Sequence, residues 1–325
     1  MKLPHRRQFL HLAAGAAALP ALPRIARAQA YPSRPVRWIV NAGPGSAPDT
    51  VARVVEQRLS KRLGQPIIID NRPGGGGNIG TQAVVNATPD GYTLLFVTNA
   101  NAINATLYDQ LSFDFLRDIV PVASIVRIDF VLISNPSLPA KSVPELIAYT
   151  KTNPGKIIMA SAGIGTVSHV AGQLFKTMAD INVLSVPYRT GPPALTDLIA
   201  GHVHFMFDTL PSAIEHIRSG KVRALAMVAP ARSELLPNIP TITDFVPGFE
   251  ANALFGVGVP KNTPVEIVVR LNKEINALLA EPETKTRFGN LGTPVAASPS
   301  EYGKLIADET EKWAKVIRAA NIKPQ

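Results

Sequence analysis

Cysteine is absent from the chain, which excludes disulfides, thiol catalysis and cysteine-held metal sites. Charge is sparse at 18% and aromatic residues make up only 6%. The net charge of +9 is unevenly spread: residues 1–30 hold Lys2, Arg6, Arg7, Arg24 and Arg27 and no acid, and the remainder has 28 bases against 24 acids. With no dense basic stripe, nucleic acid is not an expected partner. Beyond residue 30 no apolar run is long enough to span a bilayer. Missing too are a Gly-Lys-Ser/Thr step after Gly43 or Gly45, as a phosphate-binding loop requires, and any G-x-S-x-G nucleophile elbow. What is present is a chain of 325 residues, 46% hydrophobic, which predicts two domains or one large α/β domain.

Residues 1–30 have the layout of an export signal: a basic start, an apolar core from Phe9 to Leu22, and a small-residue cleavage site at Ala28-Gln29-Ala30. That core is too short to span a membrane and is broken by Pro20. His5-Arg6-Arg7-Gln8-Phe9-Leu10 resembles the twin-arginine consensus, with His5 where Ser or Thr is usual. A periplasmic location is expected, with cleavage after Ala30.

The rest of the chain is organised around Val36–Val55. Val36 to Val40 make a short strand-compatible run. A turn, Asn41-Ala42-Gly43-Pro44-Gly45, leads into a segment with apolar positions at Val51, Val54, Val55, Leu59 and Leu63, a helical spacing that Gly64 ends. Ser46 stands at the N-cap position, Pro48 in the first turn and Asp49 three residues after Ser46, close to a capping box. A helix start of this kind attracts an anion. The pattern recurs at Lys156–Ala160, the small-residue loop Ser161–Gly165, and a helix begun by Thr166. Strand-like and helical runs alternate throughout, predicting an α/β fold of two lobes, each with a strand–loop–helix element, facing each other across a ligand cleft. Extended runs at Val122–Val126 and Phe130–Ile133 mark the expected crossing into the second lobe, Leu254–Val259 the return, and Pro299–Ala319 a C-terminal helix packed on the first lobe. The expected division is 31–131 with 255–325, and 132–254.

Gly75-Gly76-Gly77-Asn78-Ile79-Gly80 satisfies G-x-G-x-x-G, but the next strand ends Phe96-Val97-Thr98-Asn99 without the acid that would hold a ribose. No cofactor is expected, and the glycine tract reads as a lobe edge. The alternative to a binding protein is a cleft hydrolase or metal-dependent enzyme using His169, or the pair His202 and His204 with Asp208 nearby. No third group completes a triad with Ser161 and His169, and the His pair reads as solvent-facing. What remains are neutral donors: the hydroxyls of Ser46, Ser161 and Thr166, and the main chain at Gly43, Gly45, Gly163 and Gly165. They suit a carboxylate better than they suit chemistry.

Taken in order, Tyr31-Pro32-Ser33-Arg34-Pro35-Val36-Arg37, Asp70-Asn71-Arg72-Pro73-Gly74-Gly75-Gly76-Gly77-Asn78-Ile79-Gly80, Pro89-Asp90-Gly91-Tyr92-Thr93-Leu94-Leu95, Asn153-Pro154-Gly155-Lys156, Val186-Pro187-Tyr188, Gly220–Ala226 and Pro237–Thr241 resemble the Bug family of periplasmic solute receptors, the binding components of tripartite tricarboxylate transporters. The resemblance implies a two-lobe periplasmic-binding-protein fold of type II and no catalysis. It implies a small carboxylate ligand: a dicarboxylate, a tricarboxylate, an acidic amino acid or an aromatic acid. The expected partners are the membrane components of such a transporter, or a sensor protein, served by a monomeric receptor. The implied ligand set is Asn41, Ala42, Gly43, Gly45, Ser46, Ala47 and Asp49 in the first loop, Asn99 and Asn101 after the next strand, Ser161, Gly163, Gly165, Thr166 and His169 in the second loop, and Asp208 with Thr209 in a third segment. No metal is implied. The first loop departs from the family's usual Pro-Phe-Ala-Pro-Gly-Gly-x-x-Asp at Asn41, Ala42 and Ser46, which makes it the expected seat of ligand choice.

Overall fold

The computed structural model describes residues 31–229, 232–289 and 291–324, so the export signal expected over 1–30 lies outside the described residues. Two mixed sheets organise the chain. The first contains β1 (Val36–Val40), β2 (Ile67–Asn71), β3 (Thr93–Val97), β4 (Ile119–Ile128), β10 (Ala253–Pro260) and β11 (Thr293–Pro294). β1 lies between β2 and β3 and parallel to both; β10 is antiparallel to β3 and β4 and sits between them, and β11 edges β4. The second contains β5 (Phe130–Ser134), β6 (Ile158–Ser161), β7 (Leu184–Pro187), β8 (Phe205–Thr209) and β9 (Arg223–Val228). There β6 is parallel to its neighbours β7 and β8, and β5 is antiparallel between β8 and β9. Both sheets therefore repeat one plan: a central strand with two parallel neighbours, then an antiparallel strand that has just arrived from the other sheet. This is the expected two-lobe α/β architecture. The crossings fall between Ile128 and Phe130 and between Val228 and Ala253.

The helices among the described residues are α1 (Ala47–Leu63), α2 (Asn78–Val85), α3 (Asn99–Leu107), α4 (Phe115–Asp118), α5 (Val143–Thr152), α6 (Val167–Ala179), α7 (Gly191–Ala200), α8 (Leu210–Arg218), α9 (Val265–Ala280), α10 (Pro282–Phe288) and α11 (Pro299–Ala319). α1 buries Val51, Ala52, Val55, Leu59 and Leu63 against its sheet, and stops where Gly64 turns left-handed (φ 72°) and donates its N–H to the Ser60 carbonyl at 3.0 Å. α6 buries Val167, Val170, Ala171 and Phe175 in the same way on the other sheet. Aromatic rings centre each core: Phe96 lies 5.5 Å from both Trp38 and Phe255, and Phe207 lies 5.6 Å from Phe175 and 5.5 Å from Phe249. α11 occupies its expected bounds and packs on β4 and α3, with Tyr302, Ile306 and Trp313 buried.

Several elements differ from the sequence reading, among them α4 and β11, which it does not contain. β4 runs for ten residues, because β10 pairs along its whole length and outweighs the Pro121 that breaks the apolar run. α3 was read only as a strand end; Thr98 starts it, with its N–H bound to the Asn101 Oδ1 at 2.9 Å. α10 follows Glu281, whose carbonyl accepts from the Lys285 N–H at 3.0 Å, and continues past the helix that the sequence alone places up to Leu279.

Candidate ligand-binding cleft

The carboxyl ends of β1, β3, β6 and β8 converge on a cleft of about 390 Å³ between the two sheets. Strand ends collect sites in open α/β sheets because the loops that leave them are free of the ladder and open onto helix N-termini. Of the expected set, Asn41, Ala42, Gly43, Ser46, Ala47, Asn99, Gly163, Thr166, Asp208 and Thr209 line this cleft.

The first wall is the loop from β1 to α1. Ser46 takes the N-cap position, and its hydroxyl donates to the Gly43 carbonyl at 2.6 Å but accepts no first-turn N–H. Asp49 likewise does not close a capping box. It reaches back to accept the Gly45 N–H at 2.9 Å, and also accepts from Arg53 Nε and Asn71 Nδ2, both within 3.1 Å. Burial pushes the Asp49 carboxyl up, but Arg53, the Gly45 N–H and Asn71 outweigh it and hold the carboxyl below its ordinary range. The outcome is a rigid loop whose helix starts without a side-chain cap. The Asp49 N–H therefore lacks the acceptor that a capping side chain would give it. Asn41 is held from behind, its Nδ2 donating toward Thr98 Oγ1 and Asn101 Oδ1, while its own Oδ1 is buried without a donor.

The second wall, from β6 to α6, is different. Thr166 does cap its helix, accepting the His169 N–H at 3.3 Å while its hydroxyl donates to the Gly163 carbonyl at 2.7 Å. The third segment presents Asp208 and Thr209 at the end of β8. Asp208 is 5% exposed; its Oδ1 accepts the Thr209 N–H at 2.8 Å, and its Oδ2 and the Thr209 hydroxyl are buried without partners. Burial drives the Asp208 carboxyl up to about 6, against the opposing pull of the Thr209 N–H.

Six of the expected residues stand behind the wall. Gly45 faces a smaller neighbouring cavity and Asp49 braces the first loop. Asn101 joins Thr98 to Thr81, with its Nδ2 donating to Thr81 Oγ1 at 2.7 Å. Ser161 is buried at the end of β6, and its carbonyl accepts from Tyr188. Gly165 adopts φ 80° where a Cβ would meet the Asn104 side chain. His169 is 2% exposed with neither ring nitrogen partnered; burial, with Lys176 adding to it, pushes the imidazole down to about 4. His204 uses Nδ1 to accept the Ile158 N–H at 2.9 Å, and His202 lies on the surface beside Asp197. The two histidines are thus engaged separately. Among the described residues no group of three His, Cys, Asp or Glu side chains could hold a metal.

The structure also brings in residues that the sequence reading did not assign to the site. The glycine tract Gly74–Gly77 forms part of the first wall, and Tyr188, Arg189, Thr190 and Gly191, after β7, form the rim of the second. Arg189 and Asp208 are the charged side chains among the lining residues, and Arg189 is exposed. The signal that would have found this rim is topological: β7 is parallel to β6, so its carboxyl end faces the same side. Phe130, Ala253 and Phe255, at the two crossings, make an apolar floor.

The chain is 37% identical over 300 residues to the protein BugT of Bordetella pertussis, covering 91% of this chain and 92% of that one. Three solved structures superpose closely. R. palustris Rpa4515 with adipate gives a TM-score of 0.88 at 34% identity, covering 91% of this chain and all of that one. The periplasmic binding protein BugD gives 0.87 at 32%, with the same coverage. MatC of Rhodopseudomonas palustris with bound malate gives 0.84 at 30%, covering 88% of this chain and all of that one. These relatives are periplasmic solute-binding receptors and not enzymes, and the two-lobe fold is theirs. The model of the tripartite tricarboxylate transporter family receptor matches residues 51–322, and the chain belongs to that family.

Proposed function

We propose that the protein is an exported periplasmic receptor that binds a small organic carboxylate between its lobes and delivers it to the membrane components of a tripartite tricarboxylate transporter. The observation that carries this reading is the uncapped start of α1 in the cleft wall. An anion at a helix N-terminus gains roughly 0.3–1 kcal/mol, and more when partly buried. Apart from Arg189 and Asp208 the lining is neutral, which suits an acid recognised by hydrogen bonds from main chain and hydroxyl groups. Adipate and malate, held by two relatives, are acids of this kind. In this reading Ala42, Gly43, Ser46 and Ala47 face the carboxylate, Asn99, Gly163 and Thr166 stand opposite, and Asp49, Asn101, Ser161, Gly165 and His169 hold those residues in place. Residues 1–30 serve as the export signal.

Thermal shift and calorimetry of the purified protein against di-, tri-, amino and aromatic acids test the reading. A rise in melting temperature of several degrees with at least one acid, and saturable heat at 1:1 stoichiometry, is the expected result. No response from any acid would overturn it. N-terminal sequencing of the exported form is expected to begin at Tyr31.

A further inference from the structure

The polar atoms that the cleft leaves buried without partners are not donors alone. Asn41 Oδ1 on the first wall and Asp208 Oδ2 on the second are acceptors, and Thr209 Oγ1 beside Asp208 can be either. Reorienting Asn41 does not remove the imbalance, because its Nδ2 faces Asn101 Oδ1, an acceptor already taking the Thr98 N–H. Each such acceptor is costly if left unpaired, and more so for a carboxylate. A plain dicarboxylate offers only acceptor oxygens of its own, and would place them against Asp208. The cleft thus asks two things of one ligand: an anionic group for the open helix start, and a hydrogen-bond donor for the acceptors.

We infer that the receptor selects carboxylates bearing a hydroxyl or ammonium group, and that Asp208, with Thr209 beside it, receives the donor of that group. The inference rests on the carboxylate reading above and narrows it. The two ligand types share the donor and differ in charge, so comparing them separates a neutral from an ionic contact at Asp208. Arg189 contributes at the rim, where a second carboxylate of the ligand would reach the cation among the lining residues.

The test is calorimetry on purified protein with matched trios that share a carbon skeleton: succinate, malate and aspartate, then glutarate, 2-hydroxyglutarate and glutamate. The substituted acid of at least one trio is expected to bind about tenfold or more tightly than its parent, the scale of one hydrogen bond to a charged acceptor. Asp208→Asn is expected to collapse that ratio to about threefold or less, and more completely for the ammonium than for the hydroxyl, since a neutral amide oxygen keeps a weak acceptor but no charge. Thr209→Val, nearly isosteric, keeps the test decisive if Asp208→Asn folds poorly; it is expected to lower the same ratio several-fold. Parent acids that bind as tightly as their derivatives, or a preference unchanged in both variants, would overturn the inference while leaving the carboxylate reading intact. No binding by any acid would overturn the carboxylate reading, and the inference with it.

Discussion

A Cβ placed on Gly43 would stand 2.5 Å from Cγ2 of Thr190, so the two walls of the cleft meet where one has no side chain at all. Gly43 has no left-handed φ to protect, and its role is to allow this close approach. Gly76 combines both demands: it adopts a left-handed φ of 63°, and an added Cβ would run into the Ile164 carbonyl oxygen.

Closing the lobes should therefore be sensitive to one methyl group. Overpacking a tight contact costs about 1–3 kcal/mol, or roughly 5- to 150-fold in affinity when it is felt only in the closed form. Gly43→Ala is expected to weaken ligand binding about tenfold while the melting temperature without ligand stays near that of the parent. Adding Thr190→Ser, which removes the offending methyl, should restore most of the loss. Calorimetry on the single and double variants checks this, and affinity within twofold of the parent in Gly43→Ala would refute it.

The two buried titratable groups Asp208 and His169 should oppose each other in acid. Asp208, raised to about 6 in the fold, contributes stability that is present below its ordinary pKa and lost as pH rises through 6. His169, lowered to about 4, contributes stability that is present above its ordinary pKa and lost as pH falls through 4. Each effect amounts to a few kcal/mol at about 1.4 kcal/mol per unit, in overlapping windows. Asp208→Asn should make the protein lose stability relative to the parent as pH falls from 6.5 to 4. His169→Gln should make it gain relative to the parent over the same range. Urea titrations at pH 4, 5 and 6.5 read both slopes, and parallel curves for the parent and the variants would sink the idea.

Asp49 gathers three donors, from Gly45, Arg53 and Asn71, in four hydrogen bonds onto one nearly buried carboxylate. Asp49→Asn keeps the size but removes the charge that Arg53 and the Gly45 N–H address. A loss of about 1–3 kcal/mol in unfolding free energy is expected, together with weaker ligand binding as the first loop loosens. Denaturant melts and calorimetry measure the two effects separately.

Asn99 ties the cleft to the far end of the chain. Its Nδ2 donates to Glu309 Oε2 at 2.7 Å, and the same oxygen accepts from Trp313 Nε1 at 3.0 Å. Glu309→Ala leaves two partly buried donors without an acceptor and should cost about 1–3 kcal/mol. Because Trp313 loses its partner, its fluorescence should shift as well, and an unchanged spectrum would count against the coupling.

The parts of this structure legible in the sequence are those that local chemistry decides. Val36 to Leu63 and Lys156 to Ala179 could be read as strand, loop and helix because the side-chain period changes at a glycine-bearing turn. The helix starts could be placed, but not which of the two hydroxyls caps: Ser46 and Thr166 each donate to the carbonyl three residues back, and only Thr166 also accepts a first-turn N–H. The rim at Tyr188–Gly191 and the floor at Phe130 and Phe255 carry no local signature of a site. They reach the cleft only because β7 joins β6 in parallel and because both crossings lie beneath the ligand loops. α3 was missed for a related reason: asparagine, a weak helix former, occupies Asn99, Asn101 and Asn104, and packing against α11 and the glycine tract secures the helix.

The uncapped turn of α1 has a consequence for how this chain is completed. Most helices carry their own first-turn acceptor in the sequence; this one leaves the position to whatever enters from outside. A bound acid would act as the missing residue of that motif, so the fold is finished by a molecule the chromosome does not encode. Saturating ligand should then slow hydrogen exchange at Asp49 more than at His169, its counterpart in α6, where Thr166 already supplies the acceptor.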